Sequence, residues 1–170
     1  MKIAVVGYAG SGKTRAAKEF NKMGAELVDA DEIGHRLLNK KEIKRKLVKT
    51  FGTHERKKLS KIVFNKNNIK KLNKIVHPYL IKELNRIKSK KIIVFDAALY
   101  YELKLESICD KIILVRATKK NILKRAKNKD KIKKIIKLQR MPKTADFVID
   151  NNKSFKETKK TIAKIWGEIR

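Results

Sequence analysis

The chain has 170 residues, which is enough for one domain with a buried core and too few for two full ones. No apolar run approaches the ~18 residues that a membrane span requires, and the first apolar run leads into a glycine loop and not into a signal-peptide cleavage site. The single cysteine, Cys109, excludes an internal disulfide framework. We therefore expect a cytoplasmic protein with no membrane partner.

The formal net charge of +29 is extreme for a chain of this length. The lysines are spread along most of the chain and form no single block, which is typical of solvated surfaces. A field of this sign attracts ATP, phosphorylated substrates and any other polyanion in a salt-dependent way. The charge alone therefore gives little support for a nucleic-acid partner.

The first predicted strand, residues 3–6, leads directly into GYAGSGKT at residues 7–14, which matches the pattern G-x-x-x-x-G-K-[ST] in full. Glycines in such a loop let backbone N–H groups approach a phosphate. Lys13 supplies a charge for the outer phosphates, and the Thr14 hydroxyl is placed to ligate Mg²⁺. With an amphipathic helix after it, this loop predicts a nucleoside triphosphate site that comprises Gly10, Ser11, Gly12, Lys13, Thr14 and Arg15.

A second short strand, residues 25–28, ends in the acidic pair of Asp29 and Asp31. Ligands of open α/β sheets bind outside the carboxyl ends of the strands, so this pair is expected on the same edge as the phosphate loop. Asp31 has two compatible interpretations. It is an N-cap for a helix over residues 32–38, or a general base or metal-linked carboxylate beside the γ-phosphate.

Residues 40–89 have a helical, lysine-rich pattern with a break at residues 51–53. Their apolar stripes are typical of helices that pack on a core. Within this segment Pro78 predicts a kink or a new helix start, which would leave the ring of His77 free to face a ligand. The alternative is that His77 is an ordinary structural histidine.

Two further strands are predicted at residues 91–96 and 111–115, because both are near-continuous apolar runs of the kind found in buried parallel sheets. The first ends at Asp96, in the position of the Mg²⁺-linked aspartate of nucleotide enzymes. Cys109, just before the second, is expected to be a small buried apolar residue.

Residues 121–139 predict a basic helical hairpin, which is either a solvated surface or a mobile lid over the phosphates. Arg125 is notable there because the chain nearly always uses lysine, and a planar guanidinium suits bidentate phosphate contact. The last predicted strand, residues 146–150, is followed by a closing helix whose start carries a capping box of Ser154 and Glu157.

This alternation of strands and helices predicts an α/β protein with the three-layer P-loop NTPase fold. We expect about five parallel strands with helices on both faces, a helical substrate-binding insertion and a short lid. Residues 1–170 are interpreted as one P-loop kinase domain, with the insertion at residues 32–89 and the lid region at residues 119–144. These patterns alone leave the acceptor substrate open.

The chain also resembles the dephospho-coenzyme A kinases over nearly its whole length. The resemblance rests on the phosphate loop, on VDADEIGH at residues 28–35, on His77-Pro78, on DAALYYE at residues 96–102, on Gln139 and on ADFVIDN at residues 145–151. The phosphate loop is common to many enzymes. The other elements, in this order, are much more specific.

The resemblance implies ATP-dependent phosphorylation of the ribose 3′-hydroxyl of dephospho-coenzyme A, with Mg²⁺ as the metal. It implies that Asp31 is the base, and that Lys13 and the loop amides hold the ATP phosphates, with Thr14 and Asp96 on Mg²⁺. A monomer is expected. The resemblance places further residues around the two substrates: Arg125 and Arg140 in the lid, Asn151 at the nucleotide, and His35, His77, Asp96 and Leu99 at the acceptor.

The chain departs from the family pattern at Ala98, where the family usually has proline, and at Lys129, where it usually has arginine. The stretch after Gly52 and the lid are shortened, so we expect less complete lid closure. Two alternative functions stay open. One is a nucleoside or nucleotide kinase on the same scaffold, and the other is an NTP-gated RNA- or ribosome-binding protein that keeps RNA bound at physiological salt.

Overall fold

The computed structural model describes residues 1–63, 65–98 and 100–170. The chain forms two compact units: a sheet unit of Met1–Asp29 and Lys88–Arg170, and a helical unit of Ala30–Ile87. The apolar position Phe64 and the predicted substrate contact Leu99 lie outside the described residues. Within the described ranges no helix combines the length and apolarity needed to cross a membrane.

The sheet unit contains the predicted five-stranded parallel sheet, with strand order β2-β3-β1-β4-β5. The strands are β1 Lys2–Val6, β2 Glu26–Asp29, β3 Ile93–Asp96, β4 Lys111–Arg116 and β5 Phe147–Asp150. Ile3 and Val5 of β1 belong to the main core cluster, and Ala4 and Val6, which point to the opposite face, are also buried. The central strand is therefore buried on both faces, which explains its continuous apolar sequence.

Eight α-helices are described: α1 Lys13–Lys22, α2 Ala30–Leu37, α3 Lys41–Phe51, α4 Arg56–Ile62, α5 Lys66–Arg86, α6 Lys119–Arg125, α7 Lys129–Leu138 and α8 Phe155–Ile169. In the sheet unit α1 packs against α8, where the Phe20 and Trp166 rings lie 6.2 Å apart. The predicted capping box at the start of α8 is confirmed, with the Glu157 N–H donating to Ser154 Oγ at 3.3 Å.

In the helical unit, α2 and α3 both pack on the long helix α5. Helix α3 ends at Gly52, whose φ of 69° suits glycine, so the predicted break at residues 51–53 is confirmed. Apolar side chains from all four helices form the interior of this unit: Ile33, Leu37, Ile43, Leu47, Leu59, Val76, Leu80 and Leu84.

Two predicted helix boundaries are wrong. Helix α2 begins at Ala30, immediately after β2, so Asp31 lies inside the first turn and is not the N-cap. Helix α5 continues through Pro78, so His77 does not lie at a helix start. Val76 and Leu80 on either side of the proline are only 7% and 5% exposed, and this packing offsets the ~3 kcal/mol that an interior proline costs.

Candidate active site

The phosphate loop connects the end of β1 to the start of α1. Gly10 and Gly12 have φ angles of 81° and 99°, which glycine adopts without strain. The loop and the first turn of α1 form one side of a cavity of about 410 Å³. The residues that line this cavity are Gly10, Gly12, Lys13, Thr14, Arg15 and Lys18.

The loop glycines are also required by close packing. A Cβ on Gly7 would lie 2.6 Å from the Val115 carbonyl oxygen, and one on Gly10 would lie 2.9 Å from Ile122 Cγ2. A Cβ on Gly12 would overlap Asn151 Nδ2. Strand β4, helix α6 and the residue after β5 therefore pack directly against the loop, and this packing helps to fix its position.

Lys13 is held by an acid at the end of the neighbouring strand. Its Nζ lies 3.1 Å from Asp96 Oδ1, and the two side chains are only 12% and 6% exposed. The pairing follows from the sheet register, since Val5 of β1 is aligned with Asp96 of β3. The sequence-predicted lysine and aspartate are thus brought together in the sheet unit.

Ser11 contributes a buried hydroxyl to the same loop. The residue is 1% exposed, and its Oγ has no hydrogen-bond partner among the described residues. A buried polar atom without a partner is costly in a protein interior. A polar ligand bound at this loop would give the Ser11 hydroxyl the hydrogen-bond partner that no described residue supplies.

Asn151, directly after β5, connects the loop to two helices. Its Nδ2 donates to the Ser11 carbonyl at 2.8 Å, and its Oδ1 accepts from Thr158 Oγ1 of α8 at 3.1 Å. Arg125, the last residue of α6, donates to the Asn151 carbonyl at 2.8 Å. Asn151 was predicted to contact the nucleotide; in the structure its side-chain amide holds the backbone of the phosphate loop.

Gln139 is a second buried amide at the loop, and the sequence patterns assigned it no role. Its Oε1 accepts from the Ala9 N–H at 2.9 Å, and its Nε2 donates to the Ala98 carbonyl at 3.3 Å. A signal was present in the composition, because Gln139 is the only glutamine in the chain and follows a lysine-rich helical pattern.

The remaining predicted residues of the sheet unit are more exposed. Thr14 lies in the first turn of α1, and the Arg15 guanidinium stacks 3.3 Å from the centre of the Phe155 ring. Arg140 is exposed immediately after Gln139. Thr14 and Arg15 both border the loop cavity, whereas Arg140 does not line it.

Three predicted acceptor residues belong to the helical unit. Asp31 and His35 are exposed on α2 and share one helix face, because they are four positions apart. His77 is half-buried in α5. His35 also borders a cavity of about 560 Å³ inside this unit, together with Arg36, Lys44, His54 and Arg56.

Two nucleophilic side chains of the sheet unit are kept neutral by their surroundings. Burial, with a smaller effect of the Glu106 carboxylate, raises the pKa of Tyr100 to about 12. Burial, with a smaller effect of Asp110, raises the pKa of Cys109 to about 12. Neither group is therefore suited to act as a base or thiolate nucleophile at neutral pH.

A parallel sheet whose central strand runs into a complete phosphate loop, with the loop lysine paired to an acid on the next strand, defines the P-loop nucleotide-binding fold. The fold comparison agrees. A shikimate kinase from Acinetobacter baumannii superposes with a TM-score of 0.61 over 99% of this chain and 92% of that one, at 15% identity. At this identity the likeness shows the fold alone.

The sequence comparisons narrow this class. The family model described as CoaE, dephospho-CoA kinase, matches residues 1–157. A dephospho-CoA kinase from Fusobacterium nucleatum is 36% identical over 193 aligned positions, which include 99% of this chain and all of the relative. The structure of a dephospho-CoA kinase from Campylobacter jejuni matches at 26% identity and a TM-score of 0.64, over 99% of this chain and 96% of that one. The chain belongs to the dephospho-CoA kinase family.

Proposed function

We propose that this protein transfers the γ-phosphoryl group of ATP to the ribose 3′-hydroxyl of dephospho-coenzyme A, giving coenzyme A and ADP. The observation that carries the proposal is the complete phosphate loop, with its buried Lys13–Asp96 pair, in a chain that belongs to this family. In the reaction a bond forms between the 3′-oxygen and the γ-phosphorus, while the bond from that phosphorus to the bridging oxygen of ADP breaks.

The phosphate loop supplies most of what this reaction needs from the protein, namely positioning and charge neutralisation. Backbone N–H groups of the loop and of the first turn of α1 bind the ATP phosphates, and the positive end of α1 adds to the attraction. Lys13 lies 3.1 Å from Asp96, so its ammonium is already positioned at the loop before ATP binds. It neutralises charge on the outer phosphates.

Mg²⁺ fits the chemistry of the residues at this loop. Thr14 and Asp96 offer hydroxyl and carboxylate oxygens, which are the hard ligands that Mg²⁺ prefers, and both would hold it. When bound, Mg²⁺ neutralises charge that develops on the phosphates.

Arg125 and Arg140 would approach the phosphates from the lid, and Arg15 would border the nucleotide at the loop cavity. Asn151 would act on the nucleotide through the loop backbone that it holds.

Asp31 is proposed as the base that accepts the proton of the 3′-hydroxyl. Strand β2 is parallel to β3 and ends at Asp29, which is aligned with Asp96, and Asp31 follows two residues later in the chain. His35 and His77 are proposed to contact the acceptor. Asp31 and His35 share a face of α2, so one helix face would present both the base and a substrate contact.

The direct test is to incubate the protein with Mg-ATP and dephospho-coenzyme A and to measure coenzyme A and ADP. A panel of nucleosides and nucleotides in place of dephospho-coenzyme A tests the alternative acceptor class. Lys13→Ala provides the background, because it removes the phosphate-binding ammonium. Coenzyme A formation no higher than this background would overturn the proposed reaction.

Asp31→Asn should lower kcat by about 10²–10⁴-fold, because the variant cannot accept the hydroxyl proton. The dissociation constant for Mg-ADP should stay within about twofold of the unmodified protein, since the phosphate loop is unchanged. Titration calorimetry and steady-state kinetics measure the two quantities.

Glu32→Gln is the matched control for Asp31→Asn, because it removes the neighbouring exposed carboxylate of α2. This control should retain nearly full turnover. An Asp31→Asn variant with the turnover of Glu32→Gln would remove Asp31 from the role of base.

A further inference from the structure

Gln139 occupies an unusual position at the end of a helix that is otherwise poorly buried. Helix α7 contains no buried residue, whereas Gln139, which immediately follows it, is only 8% exposed. Its backbone N–H still donates to the carbonyls of Ile135 and Ile136, so its main chain is fixed to the last turn of the helix. The Gln139 side chain is therefore an inward attachment point of the predicted lid.

The two ends of the Gln139 amide contact different parts of the phosphate site. Oε1 accepts from the N–H of Ala9, inside the phosphate loop, at 2.9 Å. Nε2 donates to the carbonyl of Ala98, two residues beyond Asp96, at 3.3 Å. One contact needs an acceptor and the other a donor. The glutamine amide supplies both, whereas the ionised carboxylate of a glutamate of similar length offers acceptors only.

We propose that Gln139 is a positioning residue for phosphoryl transfer. It fixes the phosphate loop and the segment after β3 in position relative to each other and to the end of α7. In this role Gln139 acts on nucleotide and acceptor through the backbones of Ala9 and Ala98, to which its amide is hydrogen-bonded. The loop backbone binds the phosphates, and the segment after β3 follows directly from the acid that pairs with Lys13. A small displacement of either segment would move groups that phosphoryl transfer requires in fixed positions.

Substitutions of Gln139 can test the two hydrogen bonds of its amide separately. Gln139→Met keeps the length of the side chain and removes both hydrogen bonds. Gln139→Glu keeps an acceptor for the Ala9 N–H but, when ionised, sets a carboxylate oxygen against the Ala98 carbonyl. We expect Gln139→Met to raise the dissociation constant for Mg-ADP by about tenfold, and Gln139→Glu to leave it within about threefold while lowering kcat by about tenfold or more.

Asn21→Asp is the matched control, because it makes the same amide-to-carboxylate change in the same unit. Asn21 Nδ2 donates to the Ala25 carbonyl at 2.7 Å, at the opposite end of α1 from the phosphate loop. This control should lower Tm without changing the Mg-ADP dissociation constant or kcat. Thermal unfolding of every variant gives the folded fraction, and Gln139→Glu carries the test if Gln139→Met does not fold.

Lower Tm in both Gln139 variants, with the Mg-ADP dissociation constant and kcat per folded molecule unchanged, would overturn the inference and leave Gln139 a purely structural residue. The turnover measurement rests on the proposed function, whereas Mg-ADP binding needs no acceptor. A protein that binds Mg-ADP but makes no coenzyme A would therefore refute the proposed acceptor, while the effect of Gln139→Met on Mg-ADP binding would still decide the role of Gln139.

Discussion

At the scale of single residues, the phosphate loop depends on groups that are far away in the chain. Gly12 can approach the Asn151 side chain only because it has no Cβ, and its φ of 99° suits no other residue as well. Asn151 in turn donates to the Ser11 carbonyl, 140 positions earlier in the chain. The loop conformation is therefore set jointly by its own glycines and by the end of β5.

Gly12→Ala should weaken Mg-ADP binding by at least about tenfold and lower Tm, because the added Cβ overlaps Asn151 Nδ2 and strains a positive φ. Gly167→Ala is the matched control. Gly167 lies in α8 with no atom within 4 Å of an added Cβ and without a positive φ. It should raise Tm by about 2–4 °C, because alanine favours a helix by about 1 kcal/mol over glycine. Equal Mg-ADP affinity in the two variants would contradict the packing argument.

The same residues show what can be learned from sequence at this scale. The phosphate loop could be recognised in the sequence because its pattern is contained in eight consecutive positions, and its predicted place between a strand and a helix is confirmed. Asn151 and Gln139 act on that loop from positions more than a hundred residues away, and no local pattern records which backbone group an amide will contact. The glycines were predicted to approach phosphate; their contacts with Val115, Ile122 and Asn151 emerged only with the fold.

At the scale of elements, strands were easier to predict than the starts and interruptions of helices. The five strands were predicted correctly. Burial of the inner strands β1 and β3 leaves continuous apolar runs, whereas the edge strands β2 and β5 each have one buried residue and were predicted from short apolar runs that end at an aspartate. Pro78 was expected to kink its helix or to start a new one. Helix α5 runs through Pro78 without a new start, because neighbouring buried residues hold the chain helical without one backbone hydrogen bond. The prediction followed the local tendency of proline to break a helix, whereas the structure follows the tertiary packing of the residues around Pro78.

Asp146 links two of these strands and gives a prediction for the pH dependence of stability. Its carboxylate accepts from the Ile112 N–H at 2.8 Å and from Lys111 Nζ at 3.1 Å, just before β5 and at the start of β4. Partial burial raises the pKa of Asp146, but these hydrogen bonds and the Lys111 charge together lower it by a larger amount. The net shift of the Asp146 pKa is therefore downward. The ionised carboxylate therefore stabilises the folded state above the ordinary pKa of aspartate, and this contribution is lost as pH falls through the folded-state pKa.

Asp146→Asn should lower Tm at pH 7 by about 1–3 °C, and the difference from the unmodified protein should shrink below about pH 4. Asp130→Asn is the control, because the Asp130 side chain is 85% exposed and its contact with Lys133 is 3.4 Å. Thermal unfolding followed by circular dichroism between pH 3 and 7 measures both variants. A difference that stays constant down to pH 3 would show that the charge of Asp146 contributes nothing.

At the scale of the whole molecule, the net charge of +29 favours binding of polyanions in general and does not identify a particular partner. The chain has 46 lysines and arginines and 17 aspartates and glutamates, so most cationic side chains have no acid with which to pair. Ion pairs that do form occur on elements of both units, such as Lys40 with Glu83 and Lys111 with Asp146. The excess is therefore a general positive field that attracts ATP and other polyanions without selecting among them.

The salt dependence of RNA binding distinguishes a phosphotransferase with a general positive field from an NTP-gated RNA-binding protein. A generic positive field should hold an unstructured RNA at about 20 mM salt and release most of it by about 0.15 M, where the Debye length has fallen to about 8 Å. Release should follow the same salt curve with and without Mg-ATP, because no nucleotide-controlled RNA surface is involved. Fluorescence anisotropy of a labelled RNA measures this, and Lys13→Ala is the control because it removes one phosphate-loop cation and leaves the rest of the field intact. Two results together would favour the RNA-binding function: RNA stays bound at 0.15 M salt, and Mg-ATP changes its affinity for the unmodified protein but not for Lys13→Ala. A diffuse positive field cannot couple RNA affinity to the occupation of one phosphate site.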